Sequence, residues 1–317
     1  MKAFSRILAL AMVFTLLACS AALADVPSQQ LTIGTASSGG AFYTIGTGLA
    51  EVITQNVEPL NVTAEITGGS TENIRLVGEE ESDMGISNAD VVAYALEGAE
   101  PYNKVYDLKA ICALHSSVLH IVTLEGTGVE TVQDLKGKRV AVGPAGGGSI
   151  NGIDFVLRAA GMSIDDISCS YLSYDDGITQ LKDGQVDAAL VMAGYPASSI
   201  LSLGATDTVK LVSIDDELMA KVIELAPYFY SATVPASVYG TEDDVTVVGV
   251  KNILHCTDYL SEDTVYAITK ALVENMDTLV TYHNALSKLT PADLVGTGNA
   301  PLHAGAEKYY REAGLIK

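Results

Sequence analysis

The sequence predicts an α/β protein of two lobes, each built on a mostly parallel sheet, joined by two crossing strands with a cleft between them. Three observations predict it. A short β-branched run, a loop of Gly, Ser, Thr or Asn, and a segment of helical period recur one after another, the pattern of strands in a parallel sheet covered by helices. Two long extended runs, near residues 108–124 and 231–250, interrupt the repeats and divide them into groups. Apolar residues make up 48% of the chain, yet beyond residue 24 none of their runs is long enough to span a bilayer, so they must fill an interior.

The first repeat is the strand Leu31-Thr32-Ile33-Gly34, the loop Thr35 to Gly40 and a helix from Ala41 to Gln55. The second is Val62 to Ile66, the loop Thr67-Gly68-Gly69-Ser70, and a helix through Ile74, Leu76 and Val77. The third is Asp83 to Ile86, the turn Ser87-Asn88, and a helix through Val91, Val92 and Ala95. After the extended run the pattern restarts with the strand Arg139 to Val142, the loop Gly143 to Ser149, and a helix through Ile153, Val156 and Leu157. A strand at Ile167 to Leu172, a helix near Gly177 to Lys182, and the strand Val186 to Val191 with its turn Ala193-Gly194-Tyr195-Pro196 complete the second group. From Ser231 through Val250 the chain is extended again, and it is helical by period over Asp263 to Leu286 and Ala304 to Ala313. These boundaries give residues 25–115 and 235–317 as lobe I and 116–234 as lobe II.

The first 24 residues read as a cleaved signal peptide: Lys2 and Arg6, an apolar run from Ile7 to Ala18, and the small-x-small site Ala22-Leu23-Ala24. Leu16-Leu17-Ala18-Cys19-Ser20 also fits a lipobox, in which Cys19 would carry a lipid anchor. Either route places the chain outside the cytoplasm, in the periplasm or its equivalent. Removing 24 of the 317 residues leaves 293, enough for two cores. The formal charge of −21 becomes −23 without Lys2 and Arg6, which argues against nucleic acid and anionic lipid as partners. Cys112, Cys169 and Cys256 remain, an odd number better suited to core thiols than to a disulfide framework.

Each loop opens a helix whose first N–H groups lack intrahelical partners, so loops from both lobes can aim donors and positive dipole ends into one cleft. A small anion can be held there without a basic side chain. The candidate ligand-binding residues are Ser37, Ser38, Gly40, Tyr43, Ser70, Asn88, Ser149 and Tyr195, with the two tyrosines packing the ligand's carbon skeleton. Phe42 is left to the helix core. Read singly, Ser70, Asn88 and Ser149 are equally well explained as helix caps; the argument rests on the loops together.

Enzymatic sites find little support. Gly143 to Ser149 lacks the Lys of a Walker A loop and Gly34 to Gly40 lacks the G-x-G-x-x-G spacing, so nucleotide cofactors are not expected. His115 and His120 fall on opposite faces of an extended run, which argues against shared metal ligation. Glu79-Glu80-Glu81 and Asp175-Asp176 read as solvated charge, and no G-x-S-x-G elbow marks a nucleophile. No cofactor, metal or catalytic residue is expected.

The runs Ile33 to Tyr43, Gly68 to Leu76, Asp134 to Gly143, Asp183-Gly184-Gln185-Val186-Asp187-Ala188, Gly194-Tyr195-Pro196 and Pro301 to Ala306 resemble, in order, the TAXI family of TRAP transporter solute receptors. The resemblance implies a class II periplasmic-binding-protein fold and a monomer that delivers an amino acid such as glutamate, a 2-oxoacid or a dicarboxylate to TRAP membrane subunits. It also implies that His303 opens the C-terminal helix as a structural residue. The alternatives are the same fold serving an ABC importer, a periplasmic enzyme built on it, and a surface lipoprotein acting as an adhesin.

Overall fold

The computed structural model describes residues 26–317, so the signal-peptide and Cys19 expectations lie outside the described residues. The strands are β1 Gln29–Gly34, β2 Leu60–Glu65, β3 Met84–Asn88, β4 Lys109–Thr123, β5 Arg139–Gly143, β6 Ser168–Tyr171, β7 Ala188–Ala193, β8 Lys210–Leu211, β9 Phe229–Val234 and β10 Val245–Cys256. The helices are α1 Phe42–Asn56, α2 Ser70–Gly78, α3 Ala89–Glu97, α4 Ser149–Ala159, α5 Tyr174–Lys182, α6 Ser198–Gly204, α7 Asp216–Leu225, α8 Ala236–Tyr239, α9 Glu262–Glu274, α10 Met276–Leu279 and α11 Ala304–Glu312.

All strands join one sheet in the order β2-β1-β3-β10-β4-β7-β5-β6, with β8 on β4 and β9 on β10. Both ends are parallel: β1 lies between β2 and β3, and β5 between β6 and β7. The middle is antiparallel, where β10 pairs with β3, β4 and β9. The long strands β4 and β10 thus bridge two α/β units. One core gathers Val118 to Val250; the others gather Leu31 to Leu114 and residues from Ile253 onward. The chain's return to the first core therefore falls between Val250 and Ile253, about fifteen residues later than residue 235. The reason is that β9 pairs along its whole length with Val245–Val250, so this hairpin buries against the second lobe.

Other departures from the sequence pattern have local causes. Ser87 and Asn88 end β3 instead of forming a turn, because buried groups satisfy their side chains: Ser87 Oγ donates to Ser70 O at 2.9 Å, and Asn88 Nδ2 bonds across to β10. The expected helix over 263–286 stops at Asn275, whose side chain turns back to Ala271 O at 2.8 Å, and a short second helix follows. His303 does open α11, its Nδ1 accepting from Gly305 N at 3.1 Å. The three described cysteines are free, with Cys112 and Cys256 buried and Cys169 half-buried. Among the described residues no helix is long and apolar enough to cross a membrane.

Candidate functional site

At the carboxyl ends of the parallel strands, where such sheets place their pockets, the two lobes meet. Ala36, Gly40, Ala41, Phe42, Gly68, Gly69, Ser70 and Asn88 from the first lobe face Gly147, Gly148, Tyr174 and Met192 from the second. The starts of α1, α2, α3, α4 and α5 all lie in this lining. Among the described helices of nine or more residues, the four without a side-chain cap are α1, α2, α3 and α4. The others of that length, α5, α7, α9 and α11, are capped by Ser173, Asp215, Ser261 and His303. A cap satisfies an orphan N–H, so α1 to α4 spend no N-cap side chain on their first N–H groups, whereas α5, whose start also lies in the lining, is capped by Ser173.

The lobes are shut. Thr71 N donates to Gly146 O at 2.9 Å, Ser38 Oγ to Asp175 Oδ2 at 3.2 Å, and Ser199 Oγ to Gly39 O at 3.1 Å. Beyond the cavity, Tyr94 on α3 stacks on Phe155 and meets Tyr228 edge-on. The cavity enclosed by these residues is about 10 Å³, close to the least that holds one water. Glycines allow this approach: a methyl on Gly39 would sit 2.6 Å from Asp175 Oδ1, and one on Gly148 would overlap Asn88 Oδ1. At the start of α2 the carbonyl of Gly146 occupies the position of an acceptor, taking Thr71 N and, at 3.4 Å, Glu72 N. Glu72 Oε2 accepts from Gly68 N at 2.6 Å. Carboxylates thus stand at the rim, and no Lys or Arg lines the cavity.

Of the expected ligand residues, Gly40, Ser70 and Asn88 line the cavity, and Ser149 opens α4 directly after Gly148. Ser149 Oγ, however, donates to Val142 O at 2.8 Å and is fully buried, so the hydroxyl is committed to the fold. Ser37 Oγ is buried without a partner, and Ser38 is exposed at the interlobe seam. Tyr43 lies apart, in a groove between α1 and β2, because its position on α1 faces outward. Tyr195 also lies apart: its hydroxyl donates to Thr233 O at 3.2 Å, and it lines a second pocket beside the crossing strands. Phe42, left to the helix core, does touch the cavity.

Three contributors escaped the sequence reading. Tyr174, Met192 and Asn252 carried no motif, although Asn252 is a polar residue inside the apolar run 245–256, which is a usable signal. Asn252 Oδ1 accepts from Asn88 Nδ2 at 2.7 Å, and its Nδ2 donates to Ser117 Oγ and His115 Nε2, both at 3.0 Å. Beside this network Asp90 is 1% exposed with Oδ1 unpartnered; burial raises its carboxyl from the usual range to about 7. Burial likewise lowers His115 and His255 to about 3 and His120 to about 4, so all three are neutral. His120 and His115 do not share a partner: His120 Nδ1 meets Val191 O at 2.9 Å. No cluster among the described residues has the three or more His, Cys, Asp or Glu that a metal ion needs.

Two lobes, two bridging strands and a cavity at the strand ends agree with solved solute-binding proteins. The fold matches that of the alkanesulfonate-binding protein of Xanthomonas axonopodis pv. citri at a TM-score of 0.51 and 17% identity, covering 92% of this chain and 95% of that one. It matches PhnD1 of Prochlorococcus marinus (MIT 9301), solved with methylphosphonate, at 0.55 and 11%, covering 92% and 100%. A putative L-cystine ABC transporter protein of Listeria monocytogenes gives 0.51 and 14%, covering 85% and 99%. These likenesses establish an α/β periplasmic-binding-protein-like fold. In sequence, 150 residues are 30% identical to a putative aliphatic sulfonates-binding protein of Escherichia coli (strain K12), covering 47% of this chain and 40% of that relative. A wider match runs over residues 33–314, from β1 through the cavity loops and both bridging strands to the end of α11, and by it the chain belongs to the NMT1-like family.

Proposed function

We propose that this protein is an extracytoplasmic solute-binding receptor that takes a small organic anion, a carboxylate or a sulfonate, into the interlobe cleft and presents it to a membrane importer. The observation that carries the reading is the convergence of four uncapped helix starts on one cavity. N–H donors that no N-cap side chain takes, with those of Thr71 and Glu72 freed when Gly146 O leaves, suit an anionic head group together with the dipole ends and leave no buried cation unpaired in the empty protein. The sulfonates-binding relative supports extending the carboxylate expectation to sulfonates. Because the shut cavity has room for one water, the solute enters an opened form and replaces Gly146 O at the start of α2.

For the importer we favour the ABC class, in keeping with the putative L-cystine ABC transporter protein that shares the fold. The TRAP partner expected from the motifs at 33–43 and 301–306 is the second reading, and a neighbouring gene for an ATPase or for a many-span permease distinguishes them. The binding role is tested on refolded, ligand-free protein by thermal shift with alkanesulfonates, amino acids, 2-oxoacids, dicarboxylates, sugars and polyamines. A ligand present at a hundred times its dissociation constant adds about 2.7 kcal/mol of stability. A response to sugars or polyamines with none to any anion would sink the anion reading.

A further inference from the structure

A pocket of about 530 Å³ lies beside the crossing strands, with a lining that shares no residue with the cleft cavity, although His115 in it meets Phe42 of the cavity edge-on. Ser117 bonds to Asn252, which bonds to Asn88 at the cleft, whereas the neighbouring pair Ser116 and Lys251 lines the pocket. One wall is the second lobe's Tyr195 and Tyr230; the other is the first lobe's 284–293 segment, with Lys288 and Asp293.

His115, 3% exposed, also lines this pocket. Asn252 Oδ1 accepts from Asn88, so its amide nitrogen is the atom facing His115 Nε2, at 3.0 Å. Nε2 is therefore the acceptor of that bond. The ring, kept neutral by burial and by Lys251 and His283 nearby, then carries its hydrogen on Nδ1. That N–H is buried and has no acceptor. Lys251 and Lys288 form no ion pair among the described residues. Asp293, the acid in the lining, has Oδ2 engaged by Thr290 N and Oγ1 at 2.9 and 2.6 Å. Lys251 also helps hold the Asp293 carboxyl below its ordinary range, after the bonds from Thr290. An orphan donor on a lining residue and two ammonium groups against one carboxylate define an anion site with tyrosine walls.

We propose that this pocket binds a second small organic acid, its carboxylate accepting from His115 Nδ1 and lying between Lys251 and Lys288, with its carbon skeleton against Tyr195 and Tyr230. The site is distinct from the cleft but not isolated from it. Its walls come from both lobes, and the directed bonds Ser70 to Asn88 to Asn252 to His115 run from one site to the other.

The test is histidine-labelled protein observed by ¹⁵N NMR while benzoate, succinate and inorganic phosphate are titrated separately. Benzoate or succinate should shift the His115 Nδ1 signal saturably, and Lys288→Gln combined with Lys251→Met should weaken that affinity about tenfold or more. Lys288 is exposed, so Lys288→Gln alone provides a variant that cannot fail by unfolding and should weaken binding in the same direction. Absence of a saturable His115 shift overturns the proposal. So does a shift that both lysine variants keep at full affinity, which places the ligand in the cleft or elsewhere. Phosphate bound more tightly than either organic acid overturns the role of the tyrosine walls.

Discussion

Asn88 Nδ2 donates to Asn252 Oδ1 at 2.7 Å, tying the end of β3 to β10 at the level where the cores of the two lobes divide. Asn252 is fully buried, and its removal strands Asn88, Ser117 and His115 together. Each orphaned buried group costs about 1–3 kcal/mol. Asn252→Leu should therefore lower unfolding stability by on the order of 3 kcal/mol, seen as a lower urea midpoint at unchanged slope. A loss under about 0.5 kcal/mol would show that the network contributes nothing net.

Asp90 gives the fold a pH dependence of defined sign. Its carboxyl titrates near 7 in the folded protein against 3.8 as its ordinary value, because burial outweighs the N–H groups of Asp90 and Val91 that favour the charge. The folded state then holds a proton that the unfolded state has lost, so stability contributed by Asp90 is full below pH 4 and falls as pH rises toward 7. Asp90→Asn should flatten this loss, on the order of a few kcal/mol between those limits. Urea unfolding at pH 4.5 and 7.5 measures it; equal pH slopes in both proteins would mean Asp90 is charged when folded.

Ser149 commits its hydroxyl to the fold. Its Oγ is spent on Val142 O, so Ser149→Ala should cost about 1 kcal/mol of stability and leave solute affinity within about twofold. A tenfold loss of affinity, measured calorimetrically, would return the hydroxyl to the site.

Repeats such as Leu31 to Gln55 made the fold legible, because strand and helix periods are local and the loops between them hold Gly, Ser and Asn for turns and helix starts. The cleft was legible to the same depth: Gly40, Ser70 and Asn88 meet because strand ends converge. Side-chain direction was not. Tyr43 and Phe42 are neighbours on one helix, and only packing decided that Phe42 reaches the cavity while Tyr43 faces the outer groove. Long-range partners were equally hidden. Nothing near Asn88 announces Asn252, which is 164 positions away, and the hairpin of β9 with β10 moved the return crossing by pairing that no local pattern records.

Gly148 tests whether the shut form competes with solute. Its backbone is right-handed helical, at φ −72° and ψ −13°, so alanine fits there without strain and improves helix propensity. In the shut form, however, the added methyl would overlap Asn88 Oδ1 and lie 3.3 Å from Ser70 Oγ, both across the seam. Overpacking of this kind costs about 1–3 kcal/mol, and the cost falls only where the lobes touch. Gly148→Ala should therefore shift the ligand-free protein toward the open form, with a larger radius of gyration by X-ray scattering than the parent. On the proposed binding mode a solute larger than water needs the lobes further apart than a cavity of about 10 Å³ allows, so its affinity should stay the same or rise by the fraction of protein that the shut form had withheld. An unchanged ligand-free radius together with a tenfold weaker affinity would show instead that Gly148 packs against Asn88 in the loaded protein, and that the shut cavity is the bound geometry.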